Sequence, residues 1–472
     1  MRASVPAVAT LLVVLPQTAQ AAGLDGAAMR WPFALPFAGL LLTIAIAPLV
    51  FPKAWHAHYG KIAAAWALLS LAAIAGHAGA AAMLAAFTHA ILAEYLSFIV
   101  LLFALYTVAG GIVVSGKIKG TPWNNAGILA FGTGMASIVG TTGAAMILIR
   151  PLIRANAARR HNAHVIVFFI ILVANVGGAL SPLGDPPLFV GFLNGVDFFW
   201  TTRNIWLQTA IVSGLLLSMF AAFDFWRFRG EPIGDQAEKP EPVRVHGLLN
   251  FPLIAAIIGC ILLSANWRPG VVFDVLGTRL ELQNLVRDGA LVAIALLSFW
   301  LTREEHRAAN GFTWEPIMEV AKLFAAIFTA IVPVLAMLDA GKNGAFAWLL
   351  SVVTEPDGTP HEVAYFWYTG VMSAFLDNAP TYLLFFKLAG GNASALMGEL
   401  SGTLAAISMG AVYMGALTYI GNAPNFMVAA IATERGIRMP SFFGYTLWAG
   451  VILIPLFLLL TVLPVAPVLR LH

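Results

Sequence analysis

The sequence predicts an all-α polytopic membrane protein, and three observations predict it: an extreme composition, a recurrence of long apolar windows, and polar breaks that repeat in register inside those windows. Of 472 residues, 60% are hydrophobic and only 10% are Asp, Glu, Lys or Arg, against about 45–50% and about 25% in a soluble domain. A chain this apolar cannot hide its surface from water. That excludes a cytosolic enzyme, a nucleic-acid binder and a disordered scaffold. The net charge of +3 is the signature of basic cytoplasmic loops rather than of an acidic partner. The lone cysteine, Cys260, lies in the apolar run Ile257 to Leu263 and reads as a small buried side chain.

The elements follow in order. Arg2, the apolar stretch Val8–Leu15 and the Ala19-Gln20-Ala21 site predict a signal peptide over 1–21, too short to span a bilayer. The mature N-terminus is then periplasmic. Ten spanning windows come next: Phe33–Phe51, Ile62–Ala78, Ala90–Ser115, Val165–Phe199, Ile205–Phe223, Leu248–Leu263, Leu291–Leu301, Val320–Leu338, Thr403–Ala432 and Phe442–Leu463. Two further apolar stretches, Ala126–Ile153 and Tyr365–Leu388, are interrupted midway and read as re-entrant hairpins. The domain organisation expected is a first repeat, 31–226, with hairpin 121–155 and broken helix 163–200. After a cytoplasmic loop, 227–247, comes a second repeat, 248–472, with hairpin 363–390 and broken helix 403–432. With the N-terminus outside, sixteen Lys and Arg face the cytoplasm and eight face out, as the positive-inside rule requires.

The interruptions carry the function. Segment Gly178–Phe189 (GALSPLGDPPLF) aligns without a gap to Gly415–Phe426 (GALTYIGNAPNF), with six of twelve residues identical at an offset of 237. Upstream, Ser137–Ala145 aligns with Ser373–Thr381 at an offset of 236, which pairs Thr141 with Asp377. Two halves of opposite orientation, each a hairpin followed by a broken span, form the inverted-repeat plan of secondary transporters. Pro186, Pro187 and Pro424 lack an N–H, and Gly184 and Gly421 permit unwinding. Backbone freed in this way at membrane depth survives only beside protein or a watery cavity.

Asp377 falls at the expected tip of the second hairpin and Asp185 at the first break. A carboxylate near the bilayer centre costs about 2.5–3.5 kcal/mol on insertion scales and marks an ion or proton path. Two oxygen-lined sites are expected, one per half. Thr141, Thr142 and Ser181 surround Asp185 in the first; Asn378, Thr418, Asn422 and Asn425 surround Asp377 in the second. Oxygen-only ligation suits a hard alkali cation rather than zinc or copper. A desolvated carboxylate holds either a proton or a cation, so Asp185 and Asp377 are the expected exchanging acids, with no cofactor beyond the transported Na+ and H+. Asp224, Glu319, Lys322 and Asp339 lie near span boundaries, where snorkelling suffices. His56/His58 and His161/His164 read as loop residues, and the run Arg150–Arg160 as a cytoplasmic anchor. There is no nucleophile–base pair, metal quartet or phosphate-binding glycine loop, which argues against an enzyme.

The motifs Ala109–Ile112 (AGGI), Gly140–Leu152 (GTTGAAMILIRPL), Gly177–Pro187 (GGALSPLGDPP), Leu376–Pro380 (LDNAP) and Tyr419–Asn422 (YIGN) resemble those of the ion-transporter superfamily. That superfamily includes NhaD-type sodium/proton antiporters, arsenite permeases and citrate or dicarboxylate carriers. The resemblance is strongest to the NhaD-like branch and runs from about residue 35 onward. It implies a homodimer in the lipid bilayer, each protomer divided into a scaffold and a transport unit carrying both hairpins. Dicarboxylate carriers of the superfamily have Ser-Asn-Thr at the hairpin tips, whereas this chain has Thr141-Thr142 and Asp377-Asn378. An acid there repels a carboxylate substrate. The expectation is therefore exchange of Na+ or Li+ for H+ across the bacterial inner membrane. A sodium-coupled citrate or dicarboxylate symporter and an arsenite or oxyanion efflux permease are the alternatives.

Overall fold

In the computed structural model, which describes residues 24–229, 231 and 241–462, sixteen principal helices fall into two runs of eight. The expected signal peptide lies outside the described residues. The first run comprises α1 (Leu35–Val50), α2 (Pro52–Ala78), α3 (Ala80–Ala109), the pair α4 (Pro122–Val139) and α5 (Thr141–Ala155), the pair α6 (Ala163–Leu172) and α7 (Pro186–Leu193), and α8 (Trp200–Phe228). The second repeats that order: α9 (Asn250–Asn266), α10 (Leu282–Leu301), α11 (Glu315–Asp339), the pair α12 (Glu362–Leu376) and α13 (Asn378–Leu388), the pair α14 (Ser401–Met414) and α15 (Ala423–Glu434), and α16 (Phe442–Val462). Strand β1 (Val113–Ser115), after α3, pairs antiparallel with β2 (Arg244–His246), before α9. That pairing fastens the two runs together.

Among the described residues, eight helices are long and apolar enough to cross a membrane, and Asn250–Asn266 and Ser401–Leu417 are shorter apolar helices. Together they coincide one to one with the ten windows, so the chain is a multi-pass all-α membrane protein. Three helices begin nine or ten residues before their windows; α3 starts at Ala80. Helix α2 begins at Pro52 and α10 at Leu282, because helix continues through polar residues that end an apolar window.

Burial separates the helices into a shell and a centre. In the apolar window of Pro52–Ala78 only 17% of residues are buried, whereas in Ala163–Leu180 89% are. Both are apolar all round, so the difference is lipid against protein as the neighbour. Helix α14 is buried from Gly402 to Met414 and approaches α12 through glycine. A Cβ at Gly410 would lie 2.5 Å from the Phe366 carbonyl oxygen, and one at Gly370 2.0 Å from the Met414 sulfur. Such small-residue contacts bring helix backbones together where lipid offers no hydrophobic drive.

The two central helices break in the same way. After α6 comes a 3-10 turn, Val176–Leu180; then Ser181 (φ −149°, ψ 159°) and Asp185 (φ −141°, ψ 141°) are extended, and α7 starts at Pro186. After α14 comes the 3-10 turn Gly415–Leu417; then Thr418 (φ −136°, ψ 166°) and Asn422 (φ −155°, ψ 137°) are extended, and α15 starts at Ala423. Each loop folds back on itself. A Cβ on Gly184 would lie 2.1 Å from the Gly178 carbonyl oxygen, and one on Gly421 2.5 Å from that of Gly415. No side chain fits either place. Proline at the first helical positions then restarts the helix with φ already set.

Candidate functional site

The hairpins turn at one residue each, Gly140 (φ 83°, ψ 151°) and Asp377 (φ 70°, ψ 141°). The equivalent of Asp377 is therefore Gly140, and that of Thr141 is Asn378. This corrects the offset of 236 expected for the hairpins to 237, the same as for the breaks. The hydrogen bonds agree with the new register. Ser181 Oγ donates to the Ser137 carbonyl, and Thr418 Oγ1 donates to the Ala374 carbonyl, 237 residues on. The backbone of the hairpin turn is one that non-glycine residues adopt at a cost of roughly 1–3 kcal/mol. Asp377 and Leu276 are the non-glycine residues with positive φ among the described residues. Leu276 sits in the tight turn between β3 (Val272–Val275) and β4 (Thr278–Glu281); Asp377 sits beside the site.

Asp185 is 1% exposed and lies where four helix N-termini meet. It precedes α7. Its Oδ1 accepts from Thr141 Oγ1 at the start of α5 (3.1 Å) and from Asn422 Nδ2 just before α15 (2.9 Å). Its Oδ2 accepts from Asn378 Nδ2 at the start of α13 (2.5 Å). The Thr141 amide donates to the Gly184 carbonyl (2.8 Å), joining hairpin to break. The positive ends of four helices thus converge on one carboxylate, each worth about 0.3–1 kcal/mol at an exposed site and more when desolvated. Two pairs of equivalent residues, Thr141 with Asn378 and Asp185 with Asn422, meet at this point. The sequence reading placed one site in each half. The structure brings these four into one network that both halves build, because hairpin and break of one repeat face those of the other.

Asp377 caps α13 through Ala379 N (3.3 Å) and is half-buried. Its neighbour Asn378 is fully buried, and the Oδ1 of that amide has no hydrogen-bond partner. With Asp185 ionised, turning the amide over would set oxygen against the carboxylate, so in that state Nδ2 faces Asp185 and Oδ1 is the unpartnered atom. Thr142 is half-buried and takes no part in the Asp185 network.

Three expected ligands have other work. Thr418 Oγ1 donates once and accepts from both Ile420 N and Gly421 N, which uses its full capacity. Ser181 likewise clamps break to hairpin, accepting from Leu183 N. Asn425 donates to the Gly415 and Thr418 carbonyls (both 2.9 Å), and its Oδ1 accepts from Asn175 Nδ2 (2.6 Å). These are struts of the break rather than open oxygens.

Asn175 was missed in the sequence. It is fully buried, and its Oδ1 accepts from Asn422 Nδ2 at 3.3 Å. An asparagine inside the run Val165–Gly177 was the available signal, since a polar residue in a membrane span is there for a partner. A second correction concerns Asp224, read as a boundary residue. It is 0% exposed and holds Arg159 Nη2 (2.5 Å), His164 Nε2 (2.8 Å) and Asn125 Nδ2 (2.9 Å). His164 and Arg159 are therefore buried partners, not loop or anchor residues. They tie the base of the first hairpin to α6 and α8.

Comparison with known proteins bears on this geometry. A family model described as "Putative citrate transport" matches residues 26–465. Uncharacterized transporters of Mycobacterium bovis and Mycobacterium tuberculosis are each 24% identical over 349 residues, covering 70% of this chain and 74% of theirs.

Proposed function

The chain belongs to that citrate-transport family and is a membrane transporter, and on this premise we propose that it exchanges Na+ or Li+ for H+ by alternating access. The observation that carries the reading is Asp185: a buried carboxylate held by neutral side chains of both halves, with no lysine or arginine in its network. Its charge is balanced only by helix dipoles and amide donors. A proton or a cation arriving at the same two oxygens neutralises it, and each excludes the other. The unpartnered Asn378 Oδ1 supplies a neutral oxygen beside it for a cation. Asp377 keeps a backbone that glycine would adopt more easily, which is the kind of strain that functional sites retain. It is the second exchanging acid in this reading.

The division into repeats 31–226 and 248–472, the homodimer, residence in the bacterial inner membrane and the periplasmic N-terminus belong to the same proposal. Proteoliposomes holding a pH gradient and a pH dye test it. Additions of sodium or lithium are expected to release protons, and potassium and citrate are not. A second reading, sodium-coupled carriage of citrate, is favoured by the family match. Uptake of labelled citrate that requires sodium, without proton release by sodium alone, would replace the first reading with the second.

A further inference from the structure

The far ends of the two site-bearing helices α5 and α15 carry a cluster of arginines for which the exchange mechanism has no use. Arg150 stands nine residues beyond Thr141 on α5, about 14 Å along the helix. Arg435 follows the last residue of α15. Arg150 is half-buried, and its guanidinium lies against the backbone of Gly311. That glycine has φ 56°, and a Cβ on it would be 2.3 Å from Arg150 Nη2. Arg150 Nη1 is buried without a hydrogen-bond partner. Arg154, Arg435, Glu434 and Tyr106 lie within electrostatic reach of Arg150, and Arg435 within reach of Arg154. Arg154 donates to the Val114 carbonyl (2.9 Å). Among the described residues, none of the three arginines forms an ion pair with a carboxylate.

Three guanidinium groups with one acid among them repel one another, and one N–H is left bare inside protein, where an unmade hydrogen bond is costly. Arg154 and Arg435 are exposed, so the unpaired buried N–H belongs to Arg150. We propose that Arg150, Arg154 and Arg435 bind an anionic phosphate group. A tetrahedral phosphate group, free or in a lipid headgroup, offers unesterified oxygens to more than one planar guanidinium at once. Such an anion would bridge α5 and α15 at the ends opposite Thr141 and Asn422. The proposal is independent of which ion the central site carries.

The test uses the full chain in a neutral detergent, with inorganic phosphate titrated at constant ionic strength and the unfolding midpoint read. Wild type is expected to show a saturable rise. In Arg435→Gln and Arg154→Gln, both exposed positions that leave folding intact, half-saturation should move up by about tenfold or more. Arg268→Gln, an exposed arginine elsewhere, is expected to behave as wild type. A parallel measurement, native mass spectrometry from phosphatidylcholine membranes with and without phosphatidylglycerol, separates the two sources of the group. Phosphatidylglycerol retained by wild type and lost in both variants assigns a lipid headgroup; saturable phosphate binding without retained lipid assigns a free anion. Equal responses of wild type, Arg154→Gln and Arg435→Gln in both measurements overturn the proposal.

Discussion

Asp185 and Asp224 are both carboxylates with almost no exposed surface, and they differ in what surrounds the charge. Asp224 is held by Arg159 and His164 as well as Asn125, so its counter-charge is a permanent part of the chain. Asp185 is held by two amides and one hydroxyl at the convergence of four helix starts. No fixed positive charge of the chain joins that network, which is why it is proposed to take a proton or a cation in turn. The difference teaches that burial alone does not identify a working carboxylate. The identity of its donors separates the two: Asp224 is locked by fixed cations, and Asp185, held by neutral donors, is the one proposed to work.

The sharpest way to break that comparison is to neutralise each acid in turn. Asp185→Asn is expected to lower sodium-dependent proton release in proteoliposomes by more than about a hundredfold while the protein still inserts and folds, because no other carboxylate takes its place in the network. Retained exchange would remove Asp185 from the mechanism. Asp224→Asn should show the reverse pattern. It strands Arg159 buried without its partner, costing about 3–5 kcal/mol of stability in detergent denaturation, while protein that remains folded still exchanges ions.

Smaller effects sharpen the picture. The exchanged pair Asp185→Asn with Asn422→Asp moves the carboxylate to its equivalent position, and partial recovery of transport over Asp185→Asn alone is expected. No recovery would mean that the pseudo-symmetry is of backbone only. Asp377→Gly gives the hairpin turn the residue its equivalent already has. It is expected to raise stability by about 1–2 kcal/mol while lowering exchange. A loss of stability would show that the capping bond to Ala379 outweighs backbone strain. Least affected should be Ser181→Ala, which removes one clamp at a cost of about 1 kcal/mol and leaves the apparent affinity for sodium unchanged. A large change in that affinity would return Ser181 to the ion site.

Much of the fold was legible because membrane insertion writes itself locally. Ten apolar windows and the two breaks at Gly184–Pro187 and Gly421–Pro424 can be read from residues a few positions apart. Asp185, Asn378 and Asn422 were legible as polar residues in apolar surroundings. Their meeting at one point was not, since the bonds span 193 and 237 residues. The hairpin register was misread by one because the two tips share almost no residue types; only the backbone angles reveal that glycine in one half stands where aspartate stands in the other. Asp224 looked like a boundary residue because its partners Arg159 and His164 are 65 and 60 residues away.

What the amino-acid order determined by itself is the class of molecule: a multi-pass helical transporter whose central helices must unwind where glycine and proline stand, since hydropathy and backbone freedom are properties of short segments. Tertiary structure alone decided that side chains from both halves meet in one network around Asp185, and which of the polar side chains there are tied up as struts. The reason is physical. A hydrogen bond has direction and a reach of about 3 Å, so a polar side chain acquires its role only when packing brings a partner, or withholds one, from far along the chain.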